Sequence, residues 1–139
     1  MRSVTDLKTE VCYLAPEGAI KPTGTWSLAS RAGDYLFVAG MRGIDPATNA
    51  LVEGDENRIR QAFVNMAHIV ASEGAPLSSA VRLTAYVTNM DRYRPIVNKV
   101  QQEIWTGGPY PPRTILEGSA LNQDDIFEVE GTFYAPVEG

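Results

Sequence analysis

The chain of 139 residues is poor in the residue types that build metal centres and cross-links: it has one cysteine, Cys12, and one histidine, His68. A lone cysteine excludes an internal disulfide and a cysteine-based zinc site, and with a single histidine a metal cluster within one chain is not expected. Neither a metal nor a cofactor is expected. Positive charge is also scarce. Lysine and arginine number 12 against 17 aspartates and glutamates, for a net charge of −5 and a pI of about 4.8. No electrostatic footprint for nucleic acid or an anionic membrane results. No apolar run approaches the roughly 20 residues that cross a bilayer. The opening MRSVTDLKTEV lacks the apolar centre of a secretory signal, and the expected location is the cytoplasm.

What remains is the balance of a soluble globular protein, 44% hydrophobic and 21% charged. One domain over residues 1–139 is expected. Residues 1–22 carry weak periodicity and read as an N-terminal arm with one short strand. Residues 26–30 alternate, and 31–34 turn into a second alternating run at 35–40, which makes a hairpin candidate. Residues 43–49 form a turn-rich loop, with Asn49 suited to a left-handed conformation.

From 57 to 73, Ile59, Ala62, Phe63, Met66, Ile69 and Val70 recur at three- and four-residue spacing. This predicts an amphipathic helix with Gly74 as its stop. Val81, Leu83, Ala85 and Val87 alternate with Arg82, Thr84, Tyr86 and Thr88, as in a half-covered strand. Asn89 or Asp91 caps a second helix, with Pro95 tolerable only near its first turn. Tyr93, Ile96, Val97, Val100 and Ile104 form its buried stripe, and Gly107-Gly108 closes it. Strands at about 113–119 and 126–134 finish the chain. The expected class is α+β, with two helices on one face of a five- to six-stranded mixed sheet. On the last strand Phe127, Val129 and Phe133 face the helices, and Ile126, Glu128, Glu130 and Thr132 face away. Such a helix-free face predicts an oligomer surface, with sites between subunits.

The chemistry concentrates in Gly108-Pro109-Tyr110-Pro111-Pro112-Arg113-Thr114 and in Glu128 downstream. Three prolines stiffen the approach to an arginine at the mouth of a strand. A guanidinium held there grips a carboxylate through two parallel hydrogen bonds. Glu128, returning on the following strand, orders or activates a water beside it. The pair points to a small-acid site. Both residues also fit an ion pair in an oligomer core, and that reading stays open. Glu130 reads as structural or solvated, His68 as a helix-surface residue and Cys12 as inert. Trp26 serves equally as cleft wall or core, and Trp105 and Tyr110 pack around the Gly107-Gly108 turn.

Further markers occur in order along residues 20–135. They are Gly33-Asp34 before a strand ending Ala39-Gly40, Asp45-Pro46 with Leu51-Val52, and Gln61 and Asn65 in the first helix, followed by Glu73-Gly74. Val87-Thr88-Asn89-Met90-Asp91, Asn98, Pro112-Arg113-Thr114 and Glu128-Val129-Glu130 complete the set. Together they resemble the RidA/YjgF family of reactive-intermediate (imine) deaminases. The resemblance implies a chorismate-mutase-like fold and a homotrimer with clefts between subunits. It implies hydrolysis of a small carboxylate-bearing imine or enamine, such as 2-iminopropionate, to a keto acid and ammonia without a cofactor. Arg113 would bind the substrate carboxylate and Glu128 would position the attacking water. Departures from the family's common pattern fall at Trp26, Ala39, Arg42 and Ile115, all expected to line the substrate cleft. Arg42 as a second cation would suit a dicarboxylate such as 2-aminomuconate. A trimer that binds such a metabolite without turning it over is the remaining alternative.

Overall fold

Period-two alternation and three-to-four apolar spacing resolve into one sheet and three helices in the computed structural model, which describes residues 3–138. The elements are α1 (Val4–Thr9), β1 (Val11–Leu14), β2 (Ala29–Ala32), β3 (Tyr35–Met41), α2 (Asp55–Ser72), β4 (Ala80–Val87), α3 (Met90–Ile104), β5 (Arg113–Glu117) and β6 (Phe127–Tyr134). The six strands lie in the order β1-β2-β3-β6-β4-β5. Only β4 and β5 run parallel, so the sheet is mixed.

The helices form where their sequences supply both a face and a start. In α2, Ile59, Ala62, Phe63, Met66, Ile69 and Val70 are fully buried, while Asp55 and Glu56 in the first turn complement the helix dipole. Gly74, at φ +80°, follows the C-cap Glu73. In α3, Asn89 rather than Asp91 is the cap, its Oδ1 accepting from the Arg92 N–H at 3.0 Å. Pro95 falls in the second turn, beyond the first-turn limit expected for it. Phe63 centres the core, edge-on to Trp105 at 6.0 Å and tilted against Phe127 at 5.7 Å. Trp105 is therefore a core side chain.

Two expectations shift at the N-terminal side. The short α1, with Ser3 and Asp6 forming a capping box, precedes β1 and adds a third helix to the two expected. Strand β2 begins at Ala29, and Arg31 belongs to it rather than to the turn. The register Ala32↔Tyr35 leaves Gly33-Asp34 as a two-residue turn, with Gly33 at φ +59°. Alternation hid Arg31 because its buried side chain is polar: Nε donates to Glu73 Oε1 at 2.9 Å, and Nη1 donates to the Gly33 and Ala135 carbonyls. Asn49 takes the left-handed conformation expected of it, at φ 59°.

Helices α2 and α3 cover one face of the sheet. The strand registers align Tyr13, Tyr35, Phe37, Tyr134, Tyr86 and Leu116 on the other. Tyr13 on that face is 73% exposed and Phe37 47%. Glu128, opposite Tyr86, and Glu130, opposite Thr84, share this open side.

Replacing Phe63 by alanine removes the centre of the core and is expected to cost about 3–5 kcal/mol, read as a lowered midpoint in urea denaturation. A loss below 1 kcal/mol would contradict the packing described.

Candidate functional site

Arg113 opens β5, the edge strand, where the Pro112 carbonyl accepts from the Leu83 N–H at 2.9 Å. Its register partner Leu83 is buried under the helices, so Arg113 points to the helix side of the sheet. There α3 holds it. Nη1 donates to Asn98 Oδ1 at 2.9 Å and to Gln101 Oε1 at 2.6 Å. Asn98 and Gln101 are three apart on one face of α3 and so reach the same group. Nε and Nη2 donate to nothing among the described residues, which leaves one edge of the guanidinium fork open to a carboxylate. Asn98, Gln101, Gln102, Tyr110, Pro111 and Arg113 line an open pocket of about 410 Å³. Burial first, and the neighbouring Arg94 cation second, hold the guanidinium below its ordinary pKa. It stays cationic at neutral pH, and an anion there replaces hydration already lost.

Glu128 stands elsewhere. On β6 it lies opposite Tyr86, whose side chain is on the helix-free face. The adjoining β3 carries a bulge: Val38 pairs with Gly131 and Met41 with Val129, so three steps on β3 match two on β6. The Glu128 side chain lies over the bulge at Gly40, occupying the space of a side chain that Gly40 lacks. Its carboxylate has no hydrogen-bond or ion-pair partner among the described residues. Burial raises its pKa above the ordinary glutamate value, Arg42 opposes the rise, and Glu130 and Asp125 add to it. Glu130 is occupied, accepting from the Tyr86 hydroxyl at 2.7 Å. This contact and burial push the Tyr86 hydroxyl above its ordinary pKa.

Arg113 and Glu128 thus do not meet within one chain. They face opposite sides of the sheet, with β4 between their strands. Ile115 goes with Arg113, sharing its helix-side face and packing partly on the core. Ala39 goes with Glu128, in the bulge, its N–H bonded to the Leu28 carbonyl at 2.9 Å. Trp26, two residues before Leu28, is an exposed wall residue of the β1–β2 loop and not a core one. Ser27 connects it to a shallow groove that reaches Ala39.

Arg42, expected in the cleft as a second cation, points inward. Its side chain is 5% exposed and committed: Nη1 donates to Asp125 Oδ2 at 2.9 Å and to the Asn122 carbonyl, and Nη2 donates to Gln123 Oε1. Asp125 is shared with Arg58. An arginine in the interior keeps its charge by engaging partners, and three of the five N–H donors of Arg42 are engaged in this way. Conversely, Gln101 and Tyr110 were not foreseen in the site. Their signals were a glutamine beside an apolar helix stripe and an aromatic inside the proline run. His68 is exposed on α2, its Nε2 2.9 Å from the Glu17 carbonyl. Among the described residues no cluster of histidine, cysteine, aspartate or glutamate is placed to hold a metal ion. No described helix is long and apolar enough to cross a membrane.

The sequence profile of the endoribonuclease L-PSP family matches residues 16–135. A RutC family protein of Pyrococcus horikoshii is 35% identical over 119 residues, covering 85% of this chain and 93% of that protein. A 2-iminobutanoate/2-iminopropanoate deaminase of Dermatophagoides farinae is 30% identical over 118 residues, covering 84% and 88%. The solved structure of a probable translation initiation inhibitor from Rhodopseudomonas palustris superposes with a TM-score of 0.88 at 52% identity, covering 91% of this chain and 99% of that one.

Replacing Gln101 by leucine leaves Arg113 anchored by Asn98 alone. Binding of a small monocarboxylate, followed by calorimetry, is expected to weaken about tenfold, or about 1.4 kcal/mol. Unchanged affinity would remove Gln101 from the site.

Proposed function

Because this chain belongs to the endoribonuclease L-PSP family, that of the RidA and YjgF proteins, we propose that it is a cofactor-independent deaminase. It hydrolyses small imino or enamino acids to keto acids and ammonia. The observation that carries this reading is the pair of half-sites on opposite sides of the sheet, each short of one partner. An anchored cation has a free hydrogen-bonding edge, and a half-buried carboxylate has no donor. A contact that sets the β5 edge of one chain against the helix-free face of another unites them. Such a contact is head-to-tail, and a head-to-tail contact makes a ring when its rotation closes. A homotrimer with three inter-subunit clefts is the form proposed, and the exposed tyrosines and Phe37 of the helix-free face supply apolar area for it.

In that cleft the open edge of Arg113 takes the substrate carboxylate, with Tyr110 and Ile115 beside it and Trp26 and Ala39 on the facing wall. Glu128 of the neighbouring subunit accepts a proton from a water whose oxygen bonds to the imine carbon. The C=N π electrons pass to nitrogen, which takes up a proton. The resulting carbinolamine then expels ammonia, leaving the keto acid. An imine carbon is electrophilic already, so orientation and one placed water suffice.

The deaminase named for the Dermatophagoides relative acts on small monocarboxylic imines, and Arg113 suits them. The argument for a dicarboxylate such as 2-aminomuconate rested on Arg42, which is committed to Asp125. A net charge of −5 gives no support to a nucleic-acid substrate.

The test is ammonia release from 2-iminopropanoate generated in solution. Arg113→Ala is expected to lose about 10²-fold or more in kcat/KM with an unchanged circular-dichroism spectrum. Retained turnover in that folded variant would refute the role of Arg113. Wild-type binding without turnover would establish the metabolite-binding alternative. The pH dependence follows from Glu128. A base works deprotonated, and its pKa lies above the ordinary 4.5. Activity therefore falls as pH drops through that raised value, which places the acid limb above pH 4.5, and Glu128→Gln abolishes turnover.

A further inference from the structure

We propose that the side-chain-free slot at Gly40 and the buried Arg42–Asp125 ion pair together position the Glu128 carboxylate for its work, with Gly40 and Arg42 as positioning residues. This rests on the deaminase reading, and on geometry that the reading does not use. A Cβ built on Gly40 would fall 2.6 Å from Glu128 Cδ and 2.8 Å from Cγ, and would overlap Oε2. The carboxylate is thus laid against the β3 backbone by the absence of one side chain. Gly40 occupies the bulge, the one place where β3 and β6 lose register. A bulge on its own leaves that approach loosely defined.

Two residues beyond Gly40, Arg42 removes the slack. It grips Asp125 and the Asn122 carbonyl, tying the end of β3 to the loop that leads into β6. Asp125 is fully buried and three residues ahead of Glu128, and its Oδ1 also accepts from Arg58 of α2 and from the Ile126 N–H. Asn65 of α2 holds the Arg42 and Ile44 carbonyls at 3.0 and 2.8 Å. The bulge is therefore pinned on its far side to both the loop and the helix. Arg42 also supplies the charge that Glu128 otherwise lacks. The groups acting on that carboxylate are Arg42 from the end of β3, Glu130 on β6 and Asp125 in the loop, with Tyr86 opposite it on β4. Only Arg42 among them favours the ionised form.

The variants are Gly40→Ala, Arg42→Gln and Arg42→Lys. Each is followed by kcat and KM for 2-iminopropanoate across pH and by ¹³C NMR titration of the Glu128 carboxyl. The three atoms nearest a Cβ on Gly40 all belong to the Glu128 side chain and none to the backbone, so the fold should hold. Its kcat is expected to drop about 10²-fold with KM within about twofold, since Arg113 still binds the carboxylate. Arg42→Gln leaves Asp125 its bond to Arg58. Its acid limb and its Glu128 titration are both expected to move upward by about one pH unit, and Arg42→Lys to return them toward wild type. An unchanged kcat in Gly40→Ala, or an unmoved Glu128 titration in Arg42→Gln, overturns the proposal. A wild-type protein without turnover sinks the deaminase reading instead, and the titration still decides whether Arg42 governs Glu128.

Discussion

A sheet covered by helices on one face only leaves its second face open, and most of what is distinctive here depends on that asymmetry. Helices α2 and α3 bury Phe63, Phe127, Val129 and their neighbours, and the alternation of the strands then delivers Tyr13, Phe37, Tyr134 and Leu116 to the opposite side. Apolar side chains in such numbers favour association. The same alternation separates Arg113 from Glu128. A residue facing the helices and one facing away cannot be brought together by any adjustment of a single sheet, because a side-chain period of two is rigid.

The two half-sites obey one electrostatic logic with opposite signs. Arg113 is partly stripped of water and given two neutral acceptors, Asn98 and Gln101, which orient it without cancelling its charge. Glu128 is partly stripped of water and given no donor. Each group is costlier to keep ionised than it would be in solvent, and in the proposed cleft a polar ligand between them would relieve both. The more deeply buried charges of the region are treated differently. Arg42, Arg58 and Asp125 satisfy one another, as buried charges must. Half-burial with open valence marks the groups read as functional, and deeper burial with charged partners marks the framework.

Periodicity carried most of the architecture. The stripes of α2 and α3 and the alternation of β4 and β6 announced which face each would bury, and Phe127, Val129 and Phe133 lie where that reasoning put them, whereas Val81, expected beside Leu83 on β4, is exposed where the register slips between Ala80 and Arg82. Arg31 and Arg42 defeated it because a hydrophobic pattern counts arginine as outside, and here each is buried among acceptors distant in sequence. Glu73 and Asp125 lie 42 and 83 residues away from them, and no local pattern registers a partnership of that kind. The proline run before Arg113 did advertise a held cation. The linear spacing to Glu128, however, concealed that β4 intervenes and that the two side chains diverge. Gly40 was legible as a glycine at a strand end, but its use depends on which residue of β6 lies across from it, and a bulge decides that.

The divergence of Arg113 and Glu128 also has a consequence in genetic terms. If every cleft draws its cation from one chain and its carboxylate from another, the unit of function is the interface and not the polypeptide. Two alleles, one lacking the arginine and one lacking the glutamate, could then complement in the same cell, because mixed rings would still contain an intact cleft. A single damaged allele would spread its defect through rings otherwise built from sound copies.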